Sequence, residues 1–237
     1  MNKFKVLFLG PSGTGAKTCL ILRIVENKFF GNYLFTIGVD FKTKTIQTNF
    51  GEIKLTLLDT PGNEIFRQIS LSFIKGSHCI VLGYDITDRR SFESIKNYYK
   101  EIKNRAGDYP IIYLVGNKID LVERRVISEE EGVSLAKELN IKYFGVSAGT
   151  GEGVNIFVED MVNSIIKKFM PEKIYNNKLN KEKSSKNKKS INKNKDDKLK
   201  TKEIKVNENK IDNNKKFKVQ PLNHEWNNIA LNKYINF

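Results

Sequence analysis

Two cysteines and two histidines are all that the 237 residues contain, and their placing excludes several chemistries. Cys19 and Cys79 each lie inside an apolar segment, where a thiol is expected as a reduced core residue of a cytoplasmic protein rather than half of a disulfide. His78 and His224 are isolated, with no second His or Cys at ligand spacing, so no transition-metal site is expected. No uninterrupted apolar run approaches the ~20 residues of a membrane-spanning helix. Residues 6–9 are too few for a signal-peptide core.

Acidic residues are also short, 27 against 41 lysines and arginines, for a formal net charge of +14. The imbalance is local. Residues 171–237 hold 18 lysines and 8 acids, whereas residues 1–170 are dense in apolar side chains and nearly balanced in charge. Three parts follow: a folded domain over 1–170, an Asn/Lys-rich tail over 171–216 with too few apolar residues to offset the entropy of ordering, read as disordered, and a terminal segment, 217–237. In that last segment Trp226, the only tryptophan, falls with Ile229, Ala230 and Tyr234 on one face of a short helix. It reads either as a docking motif or as an end without a role. The lysine run lacks an aromatic platform for stacking bases, so no specific nucleic-acid partner is expected. Basic residues beside an anionic leaflet contribute up to ~1 kcal/mol each. The tail is therefore expected either to make weak, salt-labile contact with anionic membrane or to stay solvated.

Within the domain, strand-length apolar segments alternate with segments of helical period. Residues 3–9, 41–50, 53–58, 78–84, 110–116 and 143–146 read as strands, with a hairpin turn at Asn49-Phe50-Gly51-Glu52. Helices are expected over 19–26, from Ser91 onward, after Ser128 and over 154–169. Phe92, Ile95, Tyr99, Ile102 and Ala106 are expected on one helical face. Ser128-Glu129-Glu130-Glu131 is a capping box, opening a helix in which Val133, Ala136 and Leu139 share a side. Repeated βα units with one hairpin predict an α/β fold: a mostly parallel six-stranded sheet, one antiparallel hairpin strand, and helices on both faces. Ligands of such sheets bind beyond the carboxyl ends of the strands. Each motif below falls at such an end.

Residues 10–18 read GPSGTGAKT, nearly the phosphate-binding pattern G-x-x-x-x-G-K-[ST]. Counted from Gly10, Gly15 is in place but Ala16 stands where lysine belongs; counted back from Lys17 and Thr18, Ala16 and Pro11 stand where glycines belong. By itself the string also fits an ordinary strand-to-helix turn. Asp59-Thr60-Pro61-Gly62-Asn63-Glu64 follows a strand directly: an aspartate there can hold Mg²⁺ through water and a glycine N–H can approach a terminal phosphate, although a polar turn reads the same way. In Asn117-Lys118-Ile119-Asp120 the Asp120 carboxylate can accept from the N1–H and exocyclic amine of guanine, an edge adenine does not present. Lys118 can lay its stem along the base, and Asn117 can tie this loop to the phosphate loop. Ser147-Ala148-Gly149 follows the last strand, where backbone N–H groups can meet the guanine carbonyl oxygen.

Together these segments resemble the small GTPases of the Ras superfamily and, within it, a divergent member of the Rab family. The resemblance covers residues 3–169. Ile37-Gly38-Val39-Asp40-Phe41 matches the Rab effector-region string, Tyr84-Asp85-Ile86-Thr87 with Ser91-Phe92 matches another Rab signature, and Phe66-Arg67-Gln68-Ile69 resembles the switch II string more loosely. The fold implied is the P-loop small-G-domain. The ligands implied are GTP and GDP with Mg²⁺. Lys17 would contact the β- and γ-phosphates, while Thr18 and Thr36 would supply hydroxyls to Mg²⁺ with Asp59 behind them. The Gly62 N–H would sense the γ-phosphate, so that Thr36 and Gly62 order the two switches with GTP. Asn63 would take the place of the residue that orients the attacking water. Asn117, Lys118, Asp120 and Ala148, flanked by Ser147 and Gly149, would bind guanine. Gly10, Ser12, Gly13, Thr14, Gly15, Ala16 and Cys19 complete the implied nucleotide contacts. An exchange factor, a GTPase-activating protein and effectors would engage residues 36–41 and 63–75, and the place of work would be the cytoplasm, either wholly or with peripheral attachment to endomembranes.

The sequence departs from the family in several places. One residue is added between Gly10 and Lys17, which enlarges a loop whose N–H groups converge on phosphates; bulging and weaker binding are expected. Asn63 stands where the family has glutamine and is ~1.5 Å shorter, so slow intrinsic hydrolysis is expected. Pro61 replaces alanine and stiffens the start of switch II. Leu58 replaces a tryptophan and is expected to alter an effector-facing surface. Gly149 replaces a lysine beside the base. The family's terminal prenylated cysteines have no counterpart after Cys79, so no prenyl anchor is expected.

The reading is a guanine-nucleotide switch of Rab type that hydrolyses GTP slowly and regulates vesicle-mediated transport. A second reading is a non-catalytic or constitutively GTP-bound adaptor, favoured by Asn63 and Ala16 and opposed by Thr36, Asp59 and Gly62. A third, a nucleoside monophosphate kinase, shares the string GPSGTG but not Asn117-Lys118-Ile119-Asp120.

Overall fold

The computed structural model describes residues 2–29, 36 and 38–172, all within the first of two compact units, Met1–Lys186. Ile37, the tail over 173–216 with its lysines, and the terminal segment with Trp226 lie outside the described residues.

The near-continuous apolar run at the start of the chain forms β1 (Asn2–Leu9) in the middle of a six-stranded sheet. The other strands are β2 (Asp40–Thr48), β3 (Gly51–Asp59), β4 (Cys79–Asp85), β5 (Ile111–Asn117) and β6 (Lys142–Val146), in the order β2-β3-β1-β4-β5-β6. Every neighbouring pair is parallel except β2 with β3. A parallel strand covered on both faces is apolar at every position. In β1, Phe4, Val6 and Phe8 enter one core with α1 (Thr18–Glu26) and α6 (Val154–Phe169). Leu7 and Leu9 enter the other, with α2 (Arg67–Ser72), α4 (Ile95–Ala106) and α5 (Glu129–Leu139). Cys19 and Cys79 are both free thiols in the first core.

Three expectations are corrected and one is extended. The helix expected from Ser91 is two: α3 (Arg89–Glu93), capped by the Asp88 carboxylate accepting the Arg90 N–H, and α4 beginning after Ser94. The expected face is present and wider: Ile95 and Ile102 are buried, Phe92, Tyr99 and Ala106 pack against the same core, and Tyr98 enters it as well; Tyr99 donates its hydroxyl to the Leu139 carbonyl at 2.9 Å. In α5 the capping box is present, but Gly132, Leu135 and Ala136 face the core rather than Val133. Leu58 does not reach an effector-facing surface: it is fully buried in the cluster of Leu71 and Ile74, against which Val39 and Phe73 also pack.

Candidate functional site

β1 ends at Leu9, and residues 10–17 lead to the first turn of α1. Gly13 and Gly15 take left-handed φ values of 77° and 65°, which a side chain would resist. The added residue is absorbed at the junction. The Leu20 N–H donates to the Gly15 carbonyl at 3.1 Å, five residues back, and the regular four-residue spacing begins only with Ile21 N–H to Lys17 O at 2.9 Å. The first turn of α1 is thus one residue wide of regular. Ala16 occupies that extra position and is fully buried. Its N–H donates to Thr14 Oγ1 at 3.3 Å, and that hydroxyl donates to the Pro11 carbonyl at 3.3 Å. The bulge expected of the loop is therefore confined to one turn, with its N–H hydrogen-bonded. Gly10, Thr14 and Ala16 shape the loop from behind and do not line the cleft.

In front of the loop, Lys17 is 6% exposed and donates to the Pro11 carbonyl at 2.5 Å. Burial lowers its pKa to about 8, the nearby Asp59 carboxylate opposing. Thr18 Oγ1 and Thr36 Oγ1 meet at 3.0 Å, bringing residues from α1 and the second loop to one point. Behind them Asp59, at the end of β3, is 2% exposed. Neither of its carboxylate oxygens has a hydrogen bond of ordinary geometry among the described residues. Burial raises its pKa to about 6, against the pull of the Thr18 hydroxyl and Lys17. Buried carboxylates are otherwise paired or coordinated. Two hydroxyls beside an orphaned carboxylate form the hard oxygen set that Mg²⁺ takes, so the residues fit the ion.

The next segment lies flush against the loop. A Cβ at Gly62 would stand 2.4 Å from the Ser12 nitrogen, so only glycine fits there. Asn63 is exposed, and its Oδ1 accepts the Ile65 N–H at 3.0 Å, closing the turn into a short 3₁₀ helix, Glu64–Phe66. The Ser70 hydroxyl donates to the carbonyl of buried Pro61 at 3.1 Å.

At the other end of the cleft, Asn117 ties three loops. Its Nδ2 donates to the Thr14 carbonyl at 3.0 Å and its Oδ1 accepts the Ala148 N–H at 3.0 Å. Lys118, held at φ 69°, donates to the Gly13 carbonyl at 3.3 Å. The cleft is about 760 Å³ and is lined by Ser12, Gly13, Gly15, Lys17, Thr18, Cys19, Thr36, Gly62, Asn63, Asn117, Lys118, Asp120, Ala148 and Gly149. Ser147 is buried and accepts the Thr150 N–H on its Oγ at 2.9 Å, so it braces the loop and does not face the cleft.

Residues 5–167 match the model of the Ras family. The chain belongs to the Ras family. It is 43% identical over 176 residues to Ras-related protein SEC4 of Saccharomyces cerevisiae, covering 74% of this chain and 78% of that one. To Ras-related protein Rab-13 of Canis lupus familiaris it is 40% identical over 165 residues, 70% of this chain and 81% of the other. To Ras-related protein RIC1 of Oryza sativa subsp. japonica it is 39% identical over 173 residues, 73% and 85% of the two chains. The chain is thus a small GTPase of the Rab type, a switch of the class that works in vesicle transport and meets exchange factors, activating proteins and effectors.

Several residues of this GTPase's cleft were not legible in its sequence. Phe29, Leu121 and Phe66, the last singled out only for its switch II string, line it; an isolated apolar residue has no period to reveal that it faces a cleft. Arg23 of α1 donates to the Ala148 carbonyl at 2.9 Å and the Gly149 carbonyl at 2.5 Å. Asp85, at the end of β4, reaches Lys118. Its signals in the sequence were its place at a strand end and the string Tyr84-Asp85-Ile86-Thr87, neither of which named Lys118 as its partner. On the outer surface, Phe41 and Phe73 pack edge-on at 5.9 Å, with Ile65 and Ile69 exposed beside the cleft.

Proposed function

We propose that this Rab-type GTPase binds GTP and GDP with Mg²⁺, hydrolyses GTP slowly unaided, and acts as a switch in vesicle-mediated transport. The observation that carries the reading is the meeting of the Thr18 and Thr36 hydroxyls at 3.0 Å in front of a buried Asp59 carboxylate that has no hydrogen bond of ordinary geometry among the described residues. Thr18 and Thr36 would hold Mg²⁺, with Asp59 acting through water; the ion supplies charge neutralisation on the phosphate oxygens during transfer. Lys17 brings a buried cation to the same end of the cleft. Asp120 accepts from the two donors of guanine, Lys118 lies along the base, and Asn117 keeps the loops in register. Gly62, which carries no side chain against Ser12, lets a backbone N–H approach the terminal phosphate. Asn63 orients the attacking water poorly, because its amide is short and its oxygen already accepts from Ile65.

That last hydrogen bond also favours a second reading, a constitutively GTP-bound adaptor. Nucleotide extracted from the purified protein separates the two: GDP supports turnover and GTP supports the adaptor. Equal affinity for GTP and ATP would overturn both.

The surfaces for regulators and effectors are residues 36–41 and 63–75, where Phe41, Ile65 and Ile69 are exposed. Among the described residues no helix is long and apolar enough to cross a membrane. The reading places the protein in the cytoplasm and peripherally on endomembranes, with the lysines between Lys173 and Lys218 making weak contact with anionic lipid. Co-sedimentation with anionic vesicles across a salt series tests this. Binding that ignores salt or survives removal of residues 171–237 would exclude it.

A further inference from the structure

β4 carries a glycine in the centre of the sheet. Cys79 and Val81 point into the core under α1 and α6, and Gly83 is the next position on that face. It pairs with Val115 of β5, and the last β1–β4 pair is Leu9 with Leu82. Gly83 therefore lies where β1 gives way to the phosphate loop. A Cβ there would stand 2.4 Å from the Ala16 Cβ and 3.1 Å from the Ala16 carbonyl oxygen. A Cβ at Gly10 would stand 2.2 Å from the Gly83 carbonyl oxygen. Neither neighbour is the yielding end of a long side chain.

Resting on the nucleotide-binding reading above, we propose that Gly83 is a positioning residue for Lys17 and Thr18. Its missing side chain is the seat of Ala16, the added residue of the loop. A loop lengthened by one residue must place that residue outward, toward the phosphates, or inward, against the sheet. Inward is open because β4 has no side chain at that point. With Ala16 seated there, its N–H turns back to Thr14, the extra length is spent in the five-residue Leu20-to-Gly15 hydrogen bond, and Lys17 and Thr18 emerge facing the cleft. A side chain at position 83 pushes Ala16 outward and moves both functional groups with it.

The test compares four full-length proteins: the unmodified chain, Gly83→Ala, Ala16→Gly and the double variant. Release of a fluorescent GDP is measured with and without Mg²⁺, with the preference for GDP over IDP and the urea midpoint. Gly83→Ala is expected to speed release in Mg²⁺ by about tenfold or more, as misplacement by an ångström does. The factor by which Mg²⁺ slows release should shrink, while the preference for GDP, set by Asp120 at the far end of the cleft, is kept. Adding Ala16→Gly should return most of the loss. Unchanged release in Gly83→Ala, a double variant as fast as the single, or joint loss of base preference and Mg²⁺ response overturns the proposal. If Gly83→Ala does not accumulate as folded protein, the double variant decides: folded and nucleotide-bound supports the seat, unfolded overturns it. If the unmodified chain retains no guanine nucleotide, the functional reading fails by itself. The seat is then judged from the four urea midpoints, where non-additive effects support it and additive effects overturn it.

Discussion

The Asp85 carboxylate holds the Lys118 ammonium at 2.5 Å, with the Asp85 side chain only 7% exposed. The other oxygen of Asp85 accepts from the Thr87 N–H at 2.8 Å and the Thr87 hydroxyl at 2.7 Å, so the carboxylate is fixed before it meets the lysine. Lys118 is thereby pinned across the cleft in a left-handed backbone conformation, φ 69°. Asp85→Asn keeps an acceptor for Thr87 but leaves Lys118 without its counter-charge. Nucleotide release is expected to quicken on the order of tenfold, since breaking a largely buried pair costs more than the pair contributes. A stopped-flow displacement assay reads it.

Guanine selectivity should reside in Asp120. Asp120→Ala leaves the N1–H and amine of bound guanine unpaired, and charge-assisted bonds are worth ~1.5–3 kcal/mol each, so affinity for GDP is expected to fall by more than about 100-fold. Competition between GDP and ADP, with and without the substitution, measures it. Discrimination that survives the substitution places base recognition elsewhere in the cleft.

Intrinsic hydrolysis should respond to the length of residue 63. Asn63 spends its oxygen on the Ile65 N–H, and a glutamine there reaches ~1.5 Å further, so Asn63→Gln is expected to raise the single-turnover rate on the order of tenfold. An unchanged rate would assign the slow step to Pro61 or to the widened turn of α1.

Acid stability should depend on His78. Its Nδ1 accepts the Lys5 N–H at 3.1 Å, its ring packs edge-on against Phe4 and Phe169, and burial together with Lys5 holds its pKa below the ordinary 6.5. As pH falls, the unfolded chain takes up this proton first. The stabilisation is therefore present above pH 6.5 and is lost as pH falls through the lower folded value. His78→Asn keeps an acceptor and does not titrate. Its melting temperature is expected to drop less between pH 7 and pH 5 than that of the unmodified protein, and equal drops would assign the acid sensitivity to the carboxylates.

The alternation of strands and helices, the capping box at Ser128 and the register of Lys17 to Thr18 are local properties, written in periods of two and 3.6 and in neighbouring residues, and they were legible without coordinates. So was the place of Asp120, which lines the cleft as a motif directly after a strand end implies. The sequence also showed that one residue was added before Lys17. It did not show where that residue goes, because the answer lies in a glycine at position 83. The same limit hid the half-turn that chose Leu135 over Val133 for the core of α5, which depends on where the sheet lies.

What the sequence by itself determined is the set of groups: a lysine, two threonines, carboxylates at strand ends, and an apolar frame to carry them. Only the tertiary structure decided how they meet. Asn117 reaches Thr14 across 103 residues and Ala148 across 31, Thr36 reaches Thr18, and Asp85 reaches Lys118, each because the strand order sets those loops side by side at one edge. Periodicity records which side of an element is buried; it carries no record of which element lies opposite, and it is that neighbour, through the space it leaves or fills, that seats Ala16 and buries Leu58 and the Asp59 carboxylate.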